Sequence, residues 1–144
     1  LSDAQILTEQ NRNVLKAIDK EKLEKLVDAM QLLQDAQILT QGNFEALSIK
    51  NLENLEQIVD AMRDLQDEQI LTQENFEALL TGNSAYASRI AAALVDLERA
   101  HILTPQNRQA LLIKKGKQAN TIARDLIHAA LAPPACYGIL RLCL

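Results

Sequence analysis

Tryptophan is absent from these 144 residues, and the aromatic side chains amount to two phenylalanines and two tyrosines. Strand-forming aromatics are too scarce for a β-sandwich, and there is no aromatic platform on which nucleic-acid bases would stack. Glycine (four) and proline (three) are also sparse, so little interrupts helices. The two cysteines, Cys136 and Cys143, both fall in the last nine residues and cannot staple the rest of the chain. The two histidines, His101 and His128, belong to no cluster of metal ligands or acid-base partners. No Gly-rich phosphate loop, Gly-x-Ser-x-Gly elbow or Cys-His pair is present. No apolar run reaches the ~20 residues that a bilayer span needs. These absences predict a chain that is not an enzyme and holds no cofactor or metal.

Nineteen acidic against fifteen basic side chains give a net charge of −4. That balance argues against nucleic acid as the main partner, since binding it relies on a basic field. The charge is graded along the chain: residues 1–104 carry nine basic and eighteen acidic groups, residues 105–144 six basic and one acidic.

What the chain does have is a period. Ile-Leu-Thr occurs at 6–8, 38–40, 70–72 and 102–104, each time 32 residues after the last. An asparagine follows in register (Asn11, Asn43, Asn75, Asn107), then a leucine (Leu15, Leu47, Leu79, Leu111). A fixed period of 20 to 50 residues marks stacked supersecondary units, none able to bury its apolar face alone.

Within a unit, Thr8, Thr40, Thr72 and Thr104 have the place of helix N-caps, and Pro105 after Thr104 suits a first helical position. Leu39 with Phe44 and Leu71 with Phe76 have hydrophobic-staple spacing. Arg12 and Arg108 take the phenylalanine position in units one and four, so another contact must set the chain's direction there. The spacing predicts a first helix of about ten residues, carrying Ala46, Leu47 and Ile49 in unit two. After it, Asp19, Asn51 or Ser84 is placed to cap a longer helix. The longer helix shows one apolar stripe: Leu23, Leu26, Val27, Met30 and Leu33, matched by Leu55, Ile58, Val59, Met62 and Leu65. Later units replace bulk with alanine. The expected fold is all-α, a solenoid-like stack of antiparallel helix pairs over residues 1–132, with a closed helical bundle as the alternative.

The tetratricopeptide and ankyrin signatures are both absent. The pattern A-x-I-L-T-x-x-N-x-x-A-L, carried by residues 37–47 and their equivalents up to about residue 112, resembles short helical repeats in secreted effector proteins of Legionella-type intracellular bacteria. The resemblance implies a soluble fragment of a larger protein secreted into a host cell. It carries no site residues. Leu1-Ser2-Asp3-Ala4-Gln5 aligns with Leu33–Gln37, the end of a unit, so we expect the chain to begin inside a preceding helix.

The asparagines have two readings: a ladder that reads an extended peptide backbone, or cap and bridge groups internal to the stack. Positions that vary between units are the expected contact surface for a protein or peptide partner: Lys16, Ser48 and Leu80 after the shared leucine, and Lys22, Asn54, Tyr86 and Gln118 at the start of the second helix. Of these, Leu80 and Tyr86 also suit the core. Lys114, Lys115 and Lys117 form the one basic cluster, a docking candidate for an acidic partner. Pro133 and Pro134 end the period, and the apolar segment 133–144 that follows is read as either a cap or a self-association surface. The function these features predict is a non-catalytic recognition scaffold. The alternative is a structural spacer or a targeting arm for an enzymatic domain elsewhere.

Overall fold

A computed structural model describes residues 8–131, so expectations that concern Leu1–Leu7 and the 133–144 segment lie outside the described residues. The helices are α1 (Glu9–Lys16), α2 (Lys20–Asp35), α3 (Gln41–Ser48), α4 (Leu52–Asp67), α5 (Gln73–Thr81), α6 (Ala87–Arg99), α7 (Pro105–Leu111) and α8 (Ala119–Leu131). Among the described residues there is no strand, and no helix is long and apolar enough to cross a membrane. The short helices pack on neighbouring long ones, α3 on α2, α5 on α4 and α6, and α7 on α6 and α8, and the long helices pack side by side, α2 on α4, α4 on α6 and α6 on α8. Like ends meet: Glu68 just after α4 pairs with Arg99 at the end of α6. No substantial contact joins α8 to α1 or α2, so the row is open rather than closed into a bundle.

The period is written into both ends of the helices. Each threonine hydroxyl accepts from an asparagine backbone N–H three residues on, at 3.1–3.2 Å, satisfying one of the free donors of the first turn. The long helices α2, α4 and α6 end in a Schellman turn. At the end of α2, Ile38 N–H donates to Leu33 O (2.8 Å) and Gln37 N–H to Gln34 O (3.0 Å). Its left-handed residue is Gln37, Gln69 or His101, with φ of 62°, 59° and 60°. Glycine is the usual occupant of that conformation, so a side chain there carries a local cost that the surrounding contacts must exceed.

Three details differ from the sequence expectation. The short helices run seven to nine residues, not ten, because the turn into the long helix begins earlier. Ile49, read as a core residue of the first helix, is a C-cap at 80% exposure. Of the capping candidates only Asn51 acts through its side chain, accepting from Asn54 N–H at 2.8 Å. Asp19 stands at the N-cap without such a bond, and in unit three Asn83 rather than Ser84 accepts, from Ala85 N–H.

The core is one continuous seam under the long helices. Leu55, Ile58, Val59, Met62 and Leu65 of α4 are all at 0% exposure. Each is worth roughly 1.5–3 kcal/mol of transfer free energy. Toward the later units alanine takes over, at the sealed Ala87, Ala91, Ala119 and Ala123. Gly82 and Gly116 press on Ile90 from two sides. A Cβ on Gly82 would lie 2.3 Å from Ile90 Cδ1, and one on Gly116 would lie 2.5 Å from the same atom. Gly116 also has a φ of 94°.

Substitution of two glycines should therefore act in opposite directions. Gly42, in the first turn of α3, has open space around it. Gly42→Ala should raise stability by about 0.5–1 kcal/mol. Gly116→Ala should lower it by about 2–4 kcal/mol through left-handed strain and overpacking. Urea denaturation monitored by circular dichroism reads both, with midpoints moving apart at unchanged slope.

Candidate functional site

Two regions gather the polar side chains that the stack does not need for helix formation: the joints between units, and the edge where each short helix turns into its long one. The joints are built around the asparagines. Asn43 Nδ2 donates to Ile38 O (2.7 Å) and to Gln73 Oε1 (2.8 Å), while its Oδ1 accepts from Gln73 Nε2 (3.1 Å). Asn11 and Gln41 make the same reciprocal pair, at 2.8 and 3.1 Å. In the third joint Pro105 stands where the glutamine was, and Arg108 supplies the contact, its Nε donating to Asn75 Oδ1 at 2.8 Å. That bond fixes the start of α7 in place of a staple. Asn11, Asn43 and Asn75 are 1–5% exposed. A peptide therefore has no access to them, and the reading of the asparagines as a peptide-binding ladder is overturned. Burial of an amide demands partners, and these are internal.

The turn edge holds the predicted contact residues. Lys16 is exposed at the end of α1, and Gln118 is exposed just before α8. Ser48, Lys22, Asn54, Leu80 and Tyr86 are half-buried. Lys22 is already committed, its Nζ donating to Ser48 O at 2.7 Å across the first joint. Ser48 Oγ donates back to Glu45 O, and Asn54 N–H is taken by the Asn51 cap. The Tyr86 ring lies under the Arg89 guanidinium, 5.1 Å from its centroid, a cation–π contact. Along this edge a cleft of about 650 Å³ runs between the first turns of α2 and α4, lined by Asp19, Lys20, Glu21, Lys22, Asn51 and Leu52. It therefore adjoins Asn54 but is separate from the lysine cluster.

Lys114, Lys115 and Lys117 are exposed, but their backbone is structural. Lys114 and Lys115 are left-handed (φ 54° and 59°), and Lys115 O accepts from Asn83 N–H at 2.9 Å. Lys117 O accepts from Arg89 Nη1 at 2.9 Å. The strain is explained by the need to bring Gly116 onto Ile90 while sewing this turn to the preceding unit. His101 sits at a left-handed helix end, and His128 is exposed on α8.

Gln41, Gln73 and the Glu68–Arg99 bridge were not singled out by sequence reasoning. The signal for the glutamines is a 30-residue spacing, Asn11 to Gln41 and Asn43 to Gln73, that only a stacked arrangement turns into a contact. No protein family, curated protein or solved structure matches the chain. The functional reading therefore rests on these residues alone.

Asn43→Ala would take the side-chain partner from the Ile38 carbonyl and leave the Gln73 amide with Glu77 alone. It should cost about 1–3 kcal/mol. In a double-mutant cycle with Gln73→Ala, the coupling should be about 1 kcal/mol, read from chemical denaturation. Additivity of the two would show that the amide pair does not hold the joint.

Proposed function

We propose that the chain is a non-catalytic recognition scaffold, a rigid row of helix pairs that presents its turn edge to a protein or peptide partner. The observation that carries this reading is the separation of roles. The polar groups that recur with the period are taken up in the joints, while the residues that vary between units lie at the turns, where a cleft of about 650 Å³ opens between the first turns of α2 and α4. Rigid pairs limit the ordering cost of binding, so many shallow contacts can add to a useful affinity. On the resemblance noted above, the scaffold would belong to a bacterial effector and act inside a host cell. The joints also suit a second role, a spacer or targeting arm for an enzymatic domain, since each amide pair resists bending.

The test is selection of displayed random peptides on the immobilised 144-residue chain. A scaffold should enrich a related set of sequences with affinities on the order of micromolar. Binding of the enriched peptides should fall at least tenfold in a Lys16→Glu, Asn54→Lys, Gln118→Glu triple variant whose circular dichroism is unchanged. Enrichment of no related set would sink the recognition reading and leave the spacer. Binding equally strong to the variant would move the surface away from the turn edge.

A further inference from the structure

The four long helices run parallel, so each edge of the row gathers like ends. The Lys22 ammonium at the start of α2 reaches Ser48 O just ahead of α4, and Asn83 N–H ahead of α6 reaches Lys115 O ahead of α8. At the far edge Glu68 after α4 meets Arg99 at the end of α6. The two edges carry opposite charge. Residues 16–22, 48–54, 80–86 and 112–118, which make the turn edge, hold seven lysines and three carboxylates. The described residues of the far edge, 8–10, 32–42, 64–74, 96–106 and 128–131, hold eight carboxylates and one arginine.

Helix stability accounts for part of this segregation only. A cation suits the C-terminal end of a helix and an anion the N-terminal end, which explains Lys16 at the end of α1 and Glu9 and Glu74 at the starts of α1 and α5. It does not explain Lys20 and Lys22 in the first turn of α2, or Asp35 and Asp67 as the last residues of α2 and α4, helices with no basic residue in the last turn. Of the seven lysines only Lys22 is engaged through its ammonium group. Lys16, Lys20, Lys50, Lys114, Lys115 and Lys117 make no ion pair among the described residues. The turn that holds the last three is sewn to its neighbours through the carbonyls of Lys115 and Lys117, which leaves the side chains in water.

We propose that the turn edge takes an acidic peptide segment, extended along the row from α2 to α8. The inference rests on the recognition reading and names the chemistry of its partner. Three steps of about 8–10 Å between helix axes separate α2 from α8, a span that about 7–9 extended residues cover. The cleft between the first turns of α2 and α4 admits one side chain of such a segment, with Lys20 in its wall. Asp19, Glu21 and Glu53 punctuate the lysines. A nucleic acid, charged at every step, meets repulsion there, whereas a peptide can space its carboxylates. The edge also lacks a free aromatic face for a base, since Tyr86 lies under Arg89. The rest of the chain does not supply the complement: residues 1–7 hold one charge, Asp3, and residues 132–144 one, Arg141. A second copy would offer an acidic edge in which Arg99 already holds Glu68, built of helix ends about 10 Å across that are too broad for the cleft.

Fluorescence anisotropy of the full chain with end-labelled peptides of alternating Glu and Ser tests it. A peptide of about nine residues should bind at least about tenfold more tightly than a Gln–Ser peptide of equal length, and its affinity should fall as salt is raised. Lengthening the peptide should strengthen binding until the row is spanned and add little beyond. A Lys16→Glu, Lys20→Glu, Lys117→Glu variant, altered at exposed positions only, should keep the parent's circular dichroism and bind about tenfold more weakly or worse. Indifference to the Gln exchange or to the variant overturns the proposal, as does a uridine oligonucleotide of matching length that binds more tightly than the peptide. Self-association of the chain that the same variant abolishes would overturn it too, putting a second copy in the peptide's place. In the selection of displayed peptides, a related set without Asp or Glu would sink the acidic partner and leave the recognition reading standing, whereas enrichment of no related set removes both.

Discussion

Three of the four short helices begin with a primary amide taken almost wholly out of water, and such a group must find partners for two N–H donors and an oxygen. At Asn43 one donor holds the Ile38 carbonyl of the turn just left, and the other atoms face Gln73 of the next pair. The backbone N–H of the same residue is taken by the Thr40 cap. One side chain thus ties a helix start, the preceding turn and the neighbouring unit together. The apolar seam between long helices supplies most of the cohesion, but it is non-directional. The amides supply register, because they are satisfied at one offset only.

That division explains where function is to be sought. Groups satisfied inside the joints are unavailable to a ligand, and the lysine-rich turn after α7, despite its charge, is shaped by its contacts with Asn83, Arg89 and Ile90. What remains for a partner among the described residues is the turn edge, where side chains vary while the backbone repeats.

Much of the architecture was legible in the residues. The Ile-Leu-Thr triplets announced the helix breaks, the four threonines cap as their position requires, and the 3-4-7 stripe of α4 is buried along its length. The same stripe misled at Val27, which is 39% exposed, because a periodic pattern states which face a residue occupies and not how fully that face is covered. Ile49 misled for a local reason, the helix ending one residue before it. The joints were less legible. An asparagine at a helix start fits a cap as well as a bridge, and the glutamine that answers it is 30 residues away. The exchange of Gln for Pro105 with Arg108 taking over from an adjacent turn could be seen only in three dimensions. Left-handed Gln37, Gln69 and His101 were hidden for another reason: none is a glycine, the residue whose presence would signal that conformation.

The unequal burial of the helices has a dynamic consequence. α1 seals one of its eight residues, Asn11, whereas α4 seals six of its sixteen. Opening is cheapest where the fewest side chains are sealed. Fraying should begin at α1 and stop at α3, whose Phe44 and Leu47 are sealed into the seam. Amide protons should accordingly exchange along a gradient, fastest in α1 and slowest in α4 and α6, so that the molecule loosens as a zipper does, from one end.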